Sequence, residues 1–192
     1  ERGARAGTML HKIFEDLDFT AAPEKRRELV AATLVDFGYA ADWLDVIDQM
    51  VATVLNSELE PGLRLVNLSR RACLSELEFF CPIGLLEAPA LNAFFAGLPT
   101  RLRPAELDFR PVSGQLRGFI DLVFCHDGRY YIVDWKSNHL GDSPADYGRP
   151  ALEAAMAGHH YTLQYYLYSL ALDRYLNYRV PDYCYERHFG GV

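Results

Sequence analysis

The 192-residue sequence predicts a single α/β (α+β) domain: a central β-sheet flanked by helices, with a helical segment over residues 1–73 ahead of a core over residues 74–192. Three observations lead there. Half of the residues are hydrophobic, enough for a core of ordinary size. The apolar period is helical through the stretches up to Ser57 and changes to two at "LSELEFFCPI", which begins at Leu74. After Ala151 the period is helical again.

The elements follow in order. Gly7-Thr8 ahead of "MLHKIFEDLDF" puts a capping threonine before Leu10, Phe14 and Leu17 at helical spacing, so a first helix is expected to open there with His11 on its flank. "PEKRRELVAATLVDFG" starts on Pro23 and ends on Gly38, as a second helix should. "ADWLDVIDQMVATVLNS" is a third, expected to turn Trp43, Val46, Ile47, Met50 and Val54 to one side. The strand from Leu74 is expected to stop at Pro82, "APALNAFFAG" to form a short helix or turn, and residues 101–110 to add a strand. "SNHLGDSPADYGRP" has the chemistry of a loop. One long helix is expected from Ala151 to about Tyr178, with Tyr161, Gln164 and Tyr168 along one side.

Composition narrows the function classes. A net charge of -7 argues against a general polyanion binder, so a nucleic acid would have to be met by a local site, by metal ions or by another chain. There is no apolar run of membrane-spanning length and no charged-then-apolar leader, so a cytoplasmic protein without a membrane partner is expected. Cys73, Cys81, Cys125 and Cys184 lack C-x-x-C spacing and are expected to be buried free thiols.

The informative stretch is "GFIDLVFCHDGRYYIVDWK", Gly118 to Lys136. Asp127-Gly128 between two β-rich runs is a two-residue hairpin turn of type I′. If those two residues are the loop, His126 pairs with Arg129 and Asp121 falls opposite Asp134. Opposed side chains on one face are roughly 4.5–5.5 Å apart at Cβ, where like charges repel. Alternation puts Lys136 on the face of Asp134, while Ile120, Leu122, Val133 and Trp135 take the other. One lysine cannot satisfy two aspartates in an apolar sheet, whereas a divalent cation can. Hard oxygen ligands of this kind suit Mg²⁺ or Mn²⁺, and such an ion beside a lysine is equipment for phosphodiester hydrolysis. Spacing alone leaves two alternatives: Asp121 and Lys136 as a structural pair with Asp134 towards water, or a one-residue slip that reverses the face of Asp121.

"GFIDLVF", "YYIVDWKSN" and "YTLQYYLYSLAL", together with "GTMLHKIFEDLDF", "ELEFF" and "YERHFGGV" in the same order, resemble the PD-(D/E)XK nuclease superfamily, and within it the RecB-like nuclease domains. The resemblance covers essentially the whole chain. It implies a restriction-endonuclease-like mixed sheet, with Asp121, Asp134 and His11 as metal ligands, the Trp135 carbonyl completing the shell and Lys136 as the catalytic lysine. RecB-like sequences more often have tyrosine at the position of Trp135. The family's acidic residue on the earlier strand matches Glu76, with Glu78 as the other choice, and Tyr161, Gln164 and Tyr168 match a helix that borders the site and holds the DNA backbone.

The resemblance further implies a Mg²⁺-dependent deoxyribonuclease of the exodeoxyribonuclease V type, with Mn²⁺ or Ca²⁺ able to occupy the site, acting in double-strand-break processing and recombinational repair. Its partners would be DNA, mainly single-stranded, and RecC-like and RecD-like subunits. The sequence contains no G-x-x-x-x-G-K-[ST] loop, so ATP would enter only through helicase domains outside this stretch, and a fragment of a larger helicase-nuclease is expected. RecB-like domains continue past "HFGGV" into another strand and a helix, where this sequence stops at Val192. Two rival readings are a nuclease-like docking module without catalysis and a stand-alone single-strand nuclease.

Overall fold

The computed structural model describes residues 3–192; Glu1 and Arg2, which open the polar N-terminal stretch, lie outside the described residues. Helix α1 spans Ala4–Asp16, one turn earlier than Gly7-Thr8 suggested. The Thr8 hydroxyl donates to the Ala4 carbonyl oxygen at 2.9 Å, so it bonds back within the helix where a cap was expected. Helix α2 spans Pro23–Asp36 and is closed by Gly38 at φ 66°. Helix α3, Leu44–Asn56, follows a 3₁₀ turn at Ala41–Trp43. Its buried side is built on Val51 and Leu55, with Trp43, Ile47, Met50 and Val54 beside them; Val46, expected on that side, is 59% exposed. The apolar stripe is narrower than the sequence suggested, and Val46 lies beyond its edge.

A two-stranded ribbon, β1 Glu58–Glu60 and β2 Leu63–Arg64, interrupts the segment read as wholly helical. Strands this short carry no readable period. The main sheet has the order β3-β4-β5-β6, with β3 Cys73–Leu86, β4 Val112–His126, β5 Arg129–Val133 and β6 Phe189–Gly191. It is mixed, because β4 and β5 are antiparallel while β5 and β6 are parallel. Strand β3 runs through Pro82, where a stop was expected. It is an edge strand, where proline is tolerated because only one side of the strand is paired.

Helix α4, Ala88–Ala96, forms as expected, but residues 101–110 do not make a strand. Their central backbone is engaged otherwise: the Asn92 amide donates to the Leu107 carbonyl and its oxygen accepts the Leu107 N–H, both at 2.9 Å. The long C-terminal helix is two helices, α5 Arg149–Gly158 and α6 Tyr161–Arg179, divided at His160 in the left-handed conformation. A short α7, Tyr185–His188, leads into β6. Of the four thiols only Cys81 is buried; Cys73, Cys125 and Cys184 are half-buried, a correction to the expectation for all four.

The chain forms two compact units, and β3 and β4 contribute to both. The first takes the chain up to Leu77, then Ile120–Asn138 and His188–Gly191. Its core joins Ile13 and Phe14 of α1, Val30 and Leu34 of α2 and Val51 and Leu55 of α3 to Leu122, Phe124 and Tyr131 of the hairpin. The second unit takes Glu78–Phe119 and His139–Arg187, with Val192. There Ala88, Phe95 and Leu107 pack with Leu163 and Tyr166 of α6.

Phe124 is 1% exposed and stacks on Tyr131 with centroids 5.0 Å apart. Phe124→Ala is expected to lower the unfolding free energy by about 3–5 kcal/mol in urea denaturation, whereas Val46→Ser should change it by less than about 0.5 kcal/mol.

Candidate active site

The hairpin turn positions the central group. Asp127 and Gly128 have φ of 47° and 75°, the two positive values that a type I′ turn needs. The β4–β5 ladder then runs from His126↔Arg129 to Leu122↔Val133. This is the register read from the sequence, and it brings Asp121 and Asp134 level one step past the last ladder pair. There the β5 chain leaves the strand and folds onto Asp121, whose Oδ2 accepts the Trp135 N–H at 2.7 Å. The Asp134 carboxylate and the Lys136 ammonium form an ion pair.

Helix α1 delivers His11. Gly7, His11 and Phe14 lie along one stripe at i, i+4 and i+7. Phe14 stacks on the Trp135 indole, centroids 4.2 Å apart and planes at 20°. At Gly7 a Cβ would stand 2.8 Å from Ser137 Oγ, so the helix approaches the D-W-K-S segment where glycine lets it. Between these two contacts His11 Nδ1 comes to 3.6 Å from Asp121 Oδ2. Trp135 thus anchors the segment on the core side while Asp134 and Lys136 face the other way.

Glu76 joins this group through an unusual backbone. It lies within β3 at φ 51°, a left-handed conformation that non-glycine residues seldom adopt. Its side chain lines a cleft of about 470 Å³ with Thr8, His11, Lys12 and Glu15 of α1. Glu78, the other choice on this strand, belongs to the second unit and pairs with Arg117.

Burial raises the Asp121 carboxyl above the ordinary carboxylate range; the Trp135 N–H opposes this, and the Asp134 charge adds to it. Burial likewise raises Glu76, with the Asp121 and Glu15 charges as further causes. Two carboxyls held up by burial and by neighbouring acids make a place where positive charge is favoured. Among the described residues no three His, Cys, Asp or Glu side chains already stand at metal-holding spacing. The donor chemistry, an imidazole nitrogen beside carboxylate oxygens, nevertheless suits a hard or borderline divalent cation.

Tyr161, Gln164 and Tyr168 lie on α6 in the second unit. Gln164 Nε2 donates to the Tyr168 hydroxyl oxygen at 2.7 Å, and Tyr161 stacks on His159 with centroids 5.4 Å apart. The sequence reading missed the supports around these groups: Gly7 and Phe14 for His11, and Phe79 for Tyr168. The stripe shared by Gly7, His11 and Phe14 was a legible signal for the first two.

Comparison with known proteins adds a family. A profile described as the PD-(D/E)XK nuclease superfamily matches residues 1–182. The chain is 45% identical over its whole length to "RecBCD enzyme subunit RecB" of Escherichia coli strain K12. It is 38% identical, again over 100% of its length, to the protein of the same name from Haemophilus influenzae, and 35% identical over 99% to that of Mycobacterium tuberculosis H37Rv. The chain spans 16% of the first two relatives and 20% of the third.

The buried charge at Asp121 has a cost that can be measured. Asparagine at this position keeps an oxygen for the Trp135 N–H and removes the charge, so Asp121→Asn is expected to raise the melting temperature in chelator-containing buffer at pH 7. The scale is about 2–4 °C for each 1 kcal/mol relieved. A carboxyl whose folded pKa exceeds its unfolded value supports the fold only while protonated. The advantage of the variant should therefore fade as pH falls and vanish below the ordinary value of 3.8. Thermal denaturation at several pH values checks both parts.

Proposed function

The chain belongs to the PD-(D/E)XK nuclease superfamily, and from that membership we propose that it is the metal-dependent DNA nuclease domain of a RecB-like helicase-nuclease. The observation that carries this reading is the convergence of His11, Asp121 and Asp134 with Lys136 where the β4–β5 ladder ends. His11, Asp121 and Asp134 would hold a Mg²⁺ ion, with the Trp135 carbonyl completing the shell and Mn²⁺ or Ca²⁺ able to substitute. When bound, such an ion lowers the pKa of a water and polarises the phosphoryl oxygen.

The remaining roles belong to the chain's own side chains. Lys136 steadies the attacking water and the negative charge that grows on the phosphoryl oxygens as the P–O bond breaks. Its pairing with Asp134 holds the ammonium at that spot. Glu76 supplies a further carboxyl to the cleft that His11 also lines. Tyr161, Gln164 and Tyr168 hold the DNA backbone, with the Gln164 amide and the Tyr168 hydroxyl presented as a unit.

A net charge of -7 gives the domain little nonspecific affinity for phosphates. Single-stranded DNA would instead be delivered by helicase domains elsewhere in the longer protein, with RecC-like and RecD-like subunits as partners. This fits a chain that spans 16% of its RecB relatives. The setting would be double-strand-break repair in the cytoplasm, and no described helix is long and apolar enough to cross a membrane.

The test is a Mg²⁺ titration of the full-length protein with a fluorescent single-stranded DNA. Metal-dependent cleavage is expected, together with its loss in Asp134→Ala and a fall of about 10²-fold or more in Lys136→Ala. Lys136→Ala should keep a metal-induced rise in melting temperature, which Asp134→Ala should weaken. Cleavage retained in Lys136→Ala would refute the role of that lysine.

A further inference from the structure

Gly118 opens the G-x-x-D pattern of β4, and the metal-ligand reading gives it no task. It lies inside a strand, where glycine is ordinarily a weakness and often marks the close approach of another group. That group is Phe79 of the neighbouring strand β3. A Cβ on Gly118 would stand 2.4 Å from Phe79 Cζ and 2.7 Å from Cε1, so the ring tip occupies the volume that any other side chain would fill. The ring then meets Tyr168 of α6 edge to face, with centroids 5.8 Å apart and planes at 77°. The Tyr168 hydroxyl in turn accepts the hydrogen bond from Gln164 at 2.7 Å. All four residues belong to the second unit.

We propose that Phe79 is a positioning residue for DNA binding: seated over Gly118, its ring fixes the Tyr168 ring and, through the Tyr168 hydroxyl, the Gln164 amide. The proposal rests on the reading of Tyr168 and Gln164 as DNA-backbone contacts. A phenol attached through rotatable bonds loses freedom when it binds a phosphate backbone; a ring already held by Phe79 has less to lose. Gly118 is required because the floor under Phe79 must be bare backbone, an arrangement known from aromatic side chains that cover strand glycines. The effect belongs to binding, since none of the four residues touches the reacting phosphate in this reading.

The test measures KM and kcat of the full-length protein on single-stranded DNA at fixed Mg²⁺. Phe79→Leu is expected to raise KM about three- to tenfold, the size of one edge-to-face aromatic pair, with kcat within about twofold. Phe79→Met gives a second reading of the same split if the leucine form folds poorly. Gly118→Ala should raise KM similarly by displacing the ring. In the Phe79→Leu background it should add little, because the shorter side chain leaves room for the methyl group.

Tyr168→Phe and Gln164→Ala separate this proposal from the reading beneath it. A raised KM in those two with an unchanged KM in Phe79→Leu and Phe79→Met overturns the proposal and leaves the reading standing. Unchanged KM in Tyr168→Phe and Gln164→Ala removes the DNA contact itself, and the proposal with it. Equal loss of kcat and rise of KM in Phe79→Leu, or fully additive penalties in the double variant, would mark Phe79 as packing alone.

Discussion

Asp121 accepts the Trp135 amide hydrogen at 2.7 Å, one residue beyond the last β4–β5 ladder pair, and the course of the D-W-K segment follows from that bond. It ends the ladder and turns the following chain so that Trp135 points into the core and Asp134 and Lys136 point away. The Trp135 indole gives Phe14 its stacking partner, and Phe14 with Gly7 sets the rotation of α1 that brings His11 to Asp121. A hydrogen bond to a partly buried carboxylate is worth more than one between neutral groups. Here it also determines which direction each side of the D-W-K segment faces.

That arrangement opposes stability to function. Burial and the neighbouring Asp134 both raise Asp121, and Glu76 is raised by burial and by Asp121. Hydrophobic residues of the same volume would make a more stable end to this sheet. The expense is confined to a few residues at the end of the hairpin. Around them the unit is conventional, with Ile13, Val30, Leu34, Val51, Leu122 and Phe124 almost wholly enclosed.

Much of this was legible in the sequence because it obeys local rules. Asp127-Gly128 demanded a type I′ turn, the turn set the register, and the register placed Asp121 opposite Asp134. The features that escaped depend on partners distant in sequence. Residues 101–110 open in a 3₁₀ turn at Thr100–Leu102 and form no strand beyond it, where the Asn92 side chain takes the Leu107 backbone groups that a neighbouring strand would use. Pro82 fails to stop β3 because β3 is an edge, and edge status belongs to the sheet, not to the strand. Thr8 reads as a cap, but Ala4 and Ala6 carry the helix past it. For His11, helical spacing alone could not separate a half-buried flank residue from a ligand; family resemblance implied the ligand role, and the Gly7 and Phe14 contacts account for where the side chain lies.

Besides the hairpin turn at Asp127 and the left-handed Asp182 after α6, four departures from local preference can be compared. Glu76 is left-handed within a strand, Gly118 is a glycine in a strand interior, His160 is left-handed between two helices, and Asp121 is a carboxyl raised by burial. Each departure is unfavourable on its own, at about 1–2 kcal/mol for a left-handed non-glycine residue. Three of the four lie at or beside a side chain assigned to chemistry or to DNA: Glu76 itself, Asp121 itself, and Tyr161 immediately after His160. Gly118 is the exception if only the carboxylates are considered, and it ceases to be one once Phe79 and Tyr168 are included. A strand glycine outside any turn and with φ outside the left-handed region needs a reason in its neighbours, and the Phe79 ring pressed against it leads to the helix that carries Gln164.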